Sequence, residues 1–119
     1  MDIEVKNAKI VGTYLGIKDH GVFTFTISLE YGRGGYQAFG NYFLSRYDES
    51  KKQIVGTAYG CTAIIRLLKV IGVESWEELK GKPCRARGDF SHIEAIGNYI
   101  EDEWLDMSKL AAAYSLQEA

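Results

Sequence analysis

Val22-Phe23-Thr24-Phe25-Thr26-Ile27-Ser28-Leu29-Glu30-Tyr31 decides the fold. Phe23, Phe25, Ile27, Leu29 and Tyr31 share one face and Thr24, Thr26, Ser28 and Glu30 the other, the period of two that a half-buried β-strand imposes. β-Branched and aromatic residues dominate the stretch, as they do pleated surfaces packed on one side. Upstream, Ile3 and Val5 alternate with charged neighbours and Ala8, Ile10, Gly12 and Tyr14 hold the same period, which predicts a first strand over about 3–15. Gly16 to Gly21 contains Asp19-His20-Gly21, a side-chain acceptor followed by a glycine free to take positive φ, so the two strands form a hairpin.

Downstream, Gly32-Arg33-Gly34-Gly35 ends the strand and Tyr36 to Leu44 reads as a third, with Gly40 marking a bulge or a close backbone approach. Ser45 to Gln53 has mixed charges and no apolar periodicity and reads as a surface loop. From Thr57 the period changes: Ala58, Cys61, Ala63, Ile64, Ile65, Leu67, Leu68 and Ile71 form an apolar face at helical spacing, Arg66 and Lys69 lie on its polar side, and Gly72 stands where a C-terminal cap belongs. Ser75 and Glu78 fit a capping box, with Val73 placed to pack on Leu79. Pro83 to Arg87 and Ile93 to Ile100 read as strands joined by a turn at Gly88 to Ser91, and the tail from Ser108 as a short helix capped by that serine. The expected fold is α+β, an antiparallel sheet of about five strands with one main helix on a face and a short C-terminal helix, in a single domain over 1–119.

Composition narrows the function classes. The 119 residues, 46% hydrophobic and 25% charged, suit one core that folds without disulfides, so Cys61 and Cys84 read as reduced thiols. No apolar run is long enough to span a membrane and the first residues are acidic, which predicts a cytoplasmic protein. A net charge of −2 argues against a general nucleic-acid binder, because such proteins neutralise phosphates with a basic surface. Catalysis finds little support: the two histidines, His20 and His92, sit beside turns, no Gly-x-Ser-x-Gly elbow occurs, and the cysteines are too far apart for a zinc knuckle. No catalytic residue, metal or cofactor is expected. Glu101, Asp102, Glu103 and Asp106 cluster without a fixed face and read as a solvated loop pinned by Trp104 and Leu105.

Two segments could hold an anion on backbone amides, Gly32 to Gly35 beside Arg33 and Gly56 to Gly60 at the helix start, although a flexible connection and a small-residue helix start would look the same. Arg85 and Arg87 share one strand face, where two guanidiniums can grip a phosphate, and Asn98 on the neighbouring strand can read a base edge or ribose hydroxyl. Cross-strand pairing with Glu94 or Glu101 is the structural alternative. Tyr31, Tyr36, Phe39, Tyr42 and Phe43 gather around the second glycine break, suited to base stacking or to a subunit interface, and predict a homo-oligomer.

Over about 12–106, the segments Asp19-His20-Gly21, Gly35 to Tyr42, Val73 to Lys82 and Ile96 to Trp104 give a layout that resembles a widespread group of small phage and prophage proteins, taken to include the phage Thoeris anti-defence sponges. That resemblance implies a host-cytoplasmic homo-oligomer that sequesters a cyclic ADP-ribose-type nucleotide without cleaving it. It also implies a pocket built from aromatic, arginine and asparagine side chains, for which Phe39, Arg85, Arg87, Phe90 and Asn98 are the candidates. A phage inhibitor that binds a host defence protein directly, of the anti-CRISPR type, and a small nucleotide hydrolase are the alternatives.

Overall fold

The computed structural model describes residues 3–18 and 21–118. Eight strands and two helices follow in the order β1 (Glu4–Lys18), β2 (Val22–Glu30), β3 (Tyr36–Gly40), β4 (Ser45–Asp48), β5 (Gln53–Gly56), α1 (Ala58–Ile71), β6 (Pro83–Gly88), β7 (Ile93–Gly97), β8 (Trp104–Asp106) and α2 (Met107–Glu118). The fold is α+β, with six antiparallel strands in the order β3-β2-β1-β6-β7-β8 and a separate β4–β5 ribbon. Five strands were expected; the sixth of the main sheet and the first of the ribbon come from segments read as loops, and the second ribbon strand, which overlaps that loop only at Gln53, was given no element.

β1 is long because it serves two neighbours. Its first half, Glu4 to Lys9, pairs with β6, and its second half, Lys9 to Lys18, pairs with β2. The register breaks between Ile10 and Gly12, as at a β-bulge that bends a strand. The bend curls the sheet until β3 lies against β7, giving a partly open Greek-key barrel of the connectivity called OB type. β8 already pairs with Ala95 to Gly97 of β7, so no ladder joins β3 to β7. The Gln37 carboxamide closes the gap instead, donating to the carbonyls of Asp89 (3.0 Å) and Phe90 (2.9 Å).

The inward faces of the barrel carry Ala8, Ile10, Phe25, Ile27, Leu29, Phe39, Cys84, Ala86 and Ile96, all buried. α1 closes one end with Ala63, Leu67, Val70 and Ile71. Its ends are those the sequence marks: the Thr57 hydroxyl accepts from the Gly60 amide (2.9 Å) and Gly72 caps the C-terminus at φ 90°. Trp76 packs edge-on against Phe25 beside the single 3₁₀ turn Trp76–Glu78, where the Glu78 carboxylate accepts the amides of Glu74 (3.0 Å) and Ser75 (2.9 Å). Gly40 needs its freedom twice over: it takes φ 141°, and a Cβ there would run into the Phe25 carbonyl oxygen.

Three differences from the sequence expectation have local causes. Ser45 to Gln53 is half of a hairpin, because Asp48 accepts from Ser50 N, Ser50 Oγ and Lys51 N and Lys52 takes the left-handed conformation at φ 54°, a turn built without glycine. The third strand stops at Gly40, before Asn41 at φ 65°, and the strand from Ile93 stops at Gly97. α2 starts at Met107, ahead of Ser108, with Asp106 Oδ1 accepting the Lys109 amide (3.1 Å). The Asp19-His20 turn lies outside the described residues.

The two thiols differ. Cys61 is exposed on α1, whereas burial in the core pushes the Cys84 thiol up to about 12. A thiol reagent at neutral pH should modify Cys61 at once and Cys84 only as fast as the chain unfolds. Rapid labelling of both sites in native protein, read by mass spectrometry, would contradict this core.

Candidate functional site

Along β6 the side chains alternate, Cys84 and Ala86 inward, Arg85 and Arg87 outward. Register then fixes two rows across the outer surface: Asn7, Arg85, Gly97 and Trp104, and beside it Val5, Arg87, Ala95 and Asp106. Gly97 lets the Trp104 indole lie down on the sheet, since a Cβ there would come within 2.6 Å of the ring. The indole thereby reaches both guanidiniums, 4.9 Å from Arg85 and 5.1 Å from Arg87 to the ring centroid.

Both arginines are also hydrogen-bonded within the chain. Arg85 donates to the carbonyls of Asn98 (2.7 Å) and Glu101 (2.8 Å), binding the 98–103 loop by its backbone. Arg87 meets Glu94 (3.3 Å) and Asp106 (2.7 Å). The register shift after Arg87 puts both Glu94 and Ala95 opposite it, which brings the Glu94 carboxylate within reach. Asn98 Nδ2 donates to the Val70 carbonyl, while its Oδ1 accepts the amides of Ile100 and Glu101, all at 2.8 Å. Arg85 and Asn98 therefore come together as the framework of one loop, while Arg87, beside them under the same indole, is paired with carboxylates of β7 and β8.

Phe39 and Phe90 stand elsewhere. Phe39 is 0% exposed between Phe25 and Tyr42, so its expected role in stacking on a ligand is corrected to one in the core. Phe90, 76% exposed, sits in the turn between β6 and β7. It edges the open end of the barrel, a pocket of about 310 Å³ that also takes in Glu4, Lys6, Tyr31 and Gln37. Polar groups there are already paired: Tyr31 Oη donates to Gln37 Oε1 (2.5 Å), and the Lys6 ammonium lies 3.8 Å from Glu4 and 5.3 Å from the Tyr31 ring centroid. Burial, with a smaller push from Cys84, holds the Tyr31 phenol above its ordinary range, so it stays neutral.

A cleft of about 380 Å³ runs along the seam of α1, β8 and α2. Arg66, Arg87 and Lys109 line it with the Trp104 indole, and Leu105, Leu110 and Ala113 add an apolar wall; Asp106 is its one carboxylate. Arg66 spends one donor on the Trp104 carbonyl (3.0 Å), which fixes the side chain across the edge of β8. Arg66, Trp104 and Lys109 were not singled out for a site in the sequence, because no spacing along the chain links 66, 87, 104 and 109. Sequence did show Arg66 on the polar side of the helix, the one signal that could have found it.

The remaining candidates have structural employment. Gly32 to Gly35 is a turn held by bonds between Tyr31 N and Gly35 O and between Gly34 N and Tyr31 O. At the start of α1 the Thr57 hydroxyl occupies the Gly60 amide. Asp102 accepts the Trp104 indole N–H (3.0 Å). Of the aromatics around 31–43, Tyr36 and Phe43 are exposed, Tyr31 and Tyr42 are half-buried and Phe39 is buried.

This arrangement predicts two separable losses of stability. Gly97→Ala should cost about 1–3 kcal/mol by lifting the indole off the sheet. Arg87→Ala should cost about as much by leaving two carboxylates without their cation. Urea melts of both variants measure it, and a wild-type midpoint for Gly97→Ala would refute the packing of Trp104.

Comparison with protein-family models, with curated proteins and with solved structures finds no match to the chain.

Proposed function

We propose that the chain is a non-catalytic binding protein that holds a small phosphate-bearing ligand of the nucleotide class, intact, in the cleft between α1, β8 and α2. What supports the reading is the convergence of Arg66, Arg87 and Lys109 on one cleft that contains an indole, an apolar wall and a single carboxylate. Arg87 is held by Glu94 and Asp106, its charge met by theirs, and forms a fixed wall of the cleft. Arg66 keeps donors beyond the one given to Trp104, and Lys109 offers its ammonium, so these two would carry the phosphate. Leu110, Ala113 and the indole would shield a base or ribose from water.

A cyclic ADP-ribose-type nucleotide, the ligand implied by the resemblance to anti-defence sponges, is the first compound to test, and host-cytoplasmic sequestration by a homo-oligomer is the biological form of the proposal. Calorimetry against that nucleotide, ADP and inorganic phosphate should show saturable binding, with Trp104 fluorescence changing in step. Arg66→Ala and Lys109→Ala should each weaken it by about tenfold to a hundredfold, the worth of one charge-assisted hydrogen bond. Heat-released ligand should be chemically unchanged, and sedimentation should give more than one copy. Absence of binding at millimolar ligand would overturn the site, altered ligand the non-catalytic reading, and a monomer the homo-oligomer.

A further inference from the structure

β1 runs on past the strand that pairs with its first half. β6 accompanies it only as far as Lys9, and the last bonds on that side are those of Ile10 with Gly81 and Lys82. From Gly12 to Lys18 the strand has β2 on one side, in unbroken register, and among the described residues no strand on the other. The hairpin turn shows which groups face the open side. Lys18 stands opposite Val22 and its carbonyl accepts the Gly21 amide (3.1 Å), so the backbone groups of Lys18 point at β2, and at a period of two those of Gly16, Tyr14 and Gly12 do too. The N–H and C=O groups of Thr13, Leu15 and Ile17 therefore point out along the edge. Among the described residues the one partner they meet is the Tyr14 hydroxyl, which donates to the Ile17 carbonyl (3.1 Å).

The side chains of the same three residues lie on the core face, opposite Ile27, Phe25 and Phe23. Phe25 and Ile27 are fully buried, yet Leu15 is 36% and Ile17 60% exposed: the core ends before the strand does. Proteins ordinarily blunt such an edge with a proline, a bulge or an inward-pointing charge. Gly12-Thr13-Tyr14-Leu15-Gly16-Ile17 has no proline and no charge, and its register with β2 has no bulge.

We propose that a second copy of the chain pairs with this edge, antiparallel about a two-fold axis at Leu15, so that two sheets become one. The ends of the edge fix the axis. Centred on Thr13, the partner's Ile17 would fall opposite Lys9, where Pro83 already sits; centred on Ile17, the partner's Thr13 would fall opposite Gly21, beyond the end of the strand. About Leu15, Thr13 meets the partner's Ile17 and Leu15 meets the partner's Leu15, each pair exchanging both backbone bonds. The Ile17 carbonyl has two lone pairs, so it accepts the incoming amide without releasing the Tyr14 hydroxyl. On the core face, leucine covers leucine and Ile17 packs on a threonine methyl, which takes out of water the apolar groups that one copy leaves exposed. On the outer face Tyr14 lies opposite the partner's Gly16, a residue that is bare where a tyrosine ring already lies over it. Lys18 lies opposite the partner's Gly12, so no charge meets its like. An edge without charge gives an acidic or basic partner nothing to grip, whereas its side chains match a second copy of themselves. The proposal rests on the homo-oligomer of the reading above, names its interface, and uses no residue of the cleft.

Sedimentation equilibrium at tens of micromolar should give a dimer for the intact chain. Leu15→Lys and Leu15→Glu, each checked for folding by circular dichroism, should weaken self-association at least about tenfold, because like charges would face each other on the axis. Mixed in equal amounts, the two variants should recover it as a heterodimer. Hydrogen exchange reads the same interface without mutation. Amides of Thr13, Leu15 and Ile17 should be protected in concentrated protein and lose protection on dilution, while those of Tyr14 and Gly16 stay protected in both. A monomeric intact chain would overturn the proposal together with the homo-oligomer, and leave ligand binding in the cleft to its own calorimetry. Association retained by both charge variants, no recovery on mixing the folded variants, or protection of the three amides that ignores concentration would each overturn this interface alone.

Discussion

Everything in this molecule hangs on the bend in β1 between Ile10 and Gly12. A fifteen-residue strand that stayed straight would project far beyond a core of this size. The break in register divides it between β6 and β2 and turns a flat ladder into a barrel. Ile10 is the pivot: its side chain is fully buried, while its amide bonds Lys82 O (2.9 Å) and its carbonyl accepts from Gly81 N (2.7 Å). The residues after the helix are thereby tied to the middle of the first strand. Because β6 lies where this bond puts it, Arg85 and Arg87 meet Trp104, and because β2 leaves on the other side, the second half of β1 keeps an open edge.

Legibility in the sequence followed the range of the forces involved. β2 and α1 could be read almost to the residue, since a period of two and a period of 3.6 are imposed locally and Thr57 and Gly72 are local caps. β8 could not. Its three residues sit in an acidic run, and they are strand only because Ala95 to Gly97 offer an edge to them. The β4–β5 ribbon was hidden for a different reason: its turn uses Asp48 as acceptor and Lys52 in a left-handed conformation, where glycine or asparagine would have announced it.

The candidate site was half legible. That Arg85, Arg87 and Asn98 lie close together was readable from strand alternation and a hairpin; that Arg85 and Asn98 serve a loop was not, because the carbonyls of Asn98 and Glu101 have no signature in sequence. The distinction matters for ligand binding. A guanidinium already turned toward two carbonyls, or two carboxylates, is held in that orientation, so recognition passes to neighbours with more donors to spare, Arg66 and Lys109. Gly97 is the hinge of this division of labour, since the indole it admits puts one side of Trp104 with the structural arginines and another in the cleft.

One carboxamide joins β3 to the turn after β6, where the other neighbouring strands of the main sheet share a ladder of backbone bonds. Native-state excursions that cost less than global unfolding should begin along that line. Amide protons of β3 would then exchange with solvent well ahead of those in β1 and β2. The barrel would breathe like a cuff held by one button, widening at the mouth beside Phe90 while the α1 end stays shut.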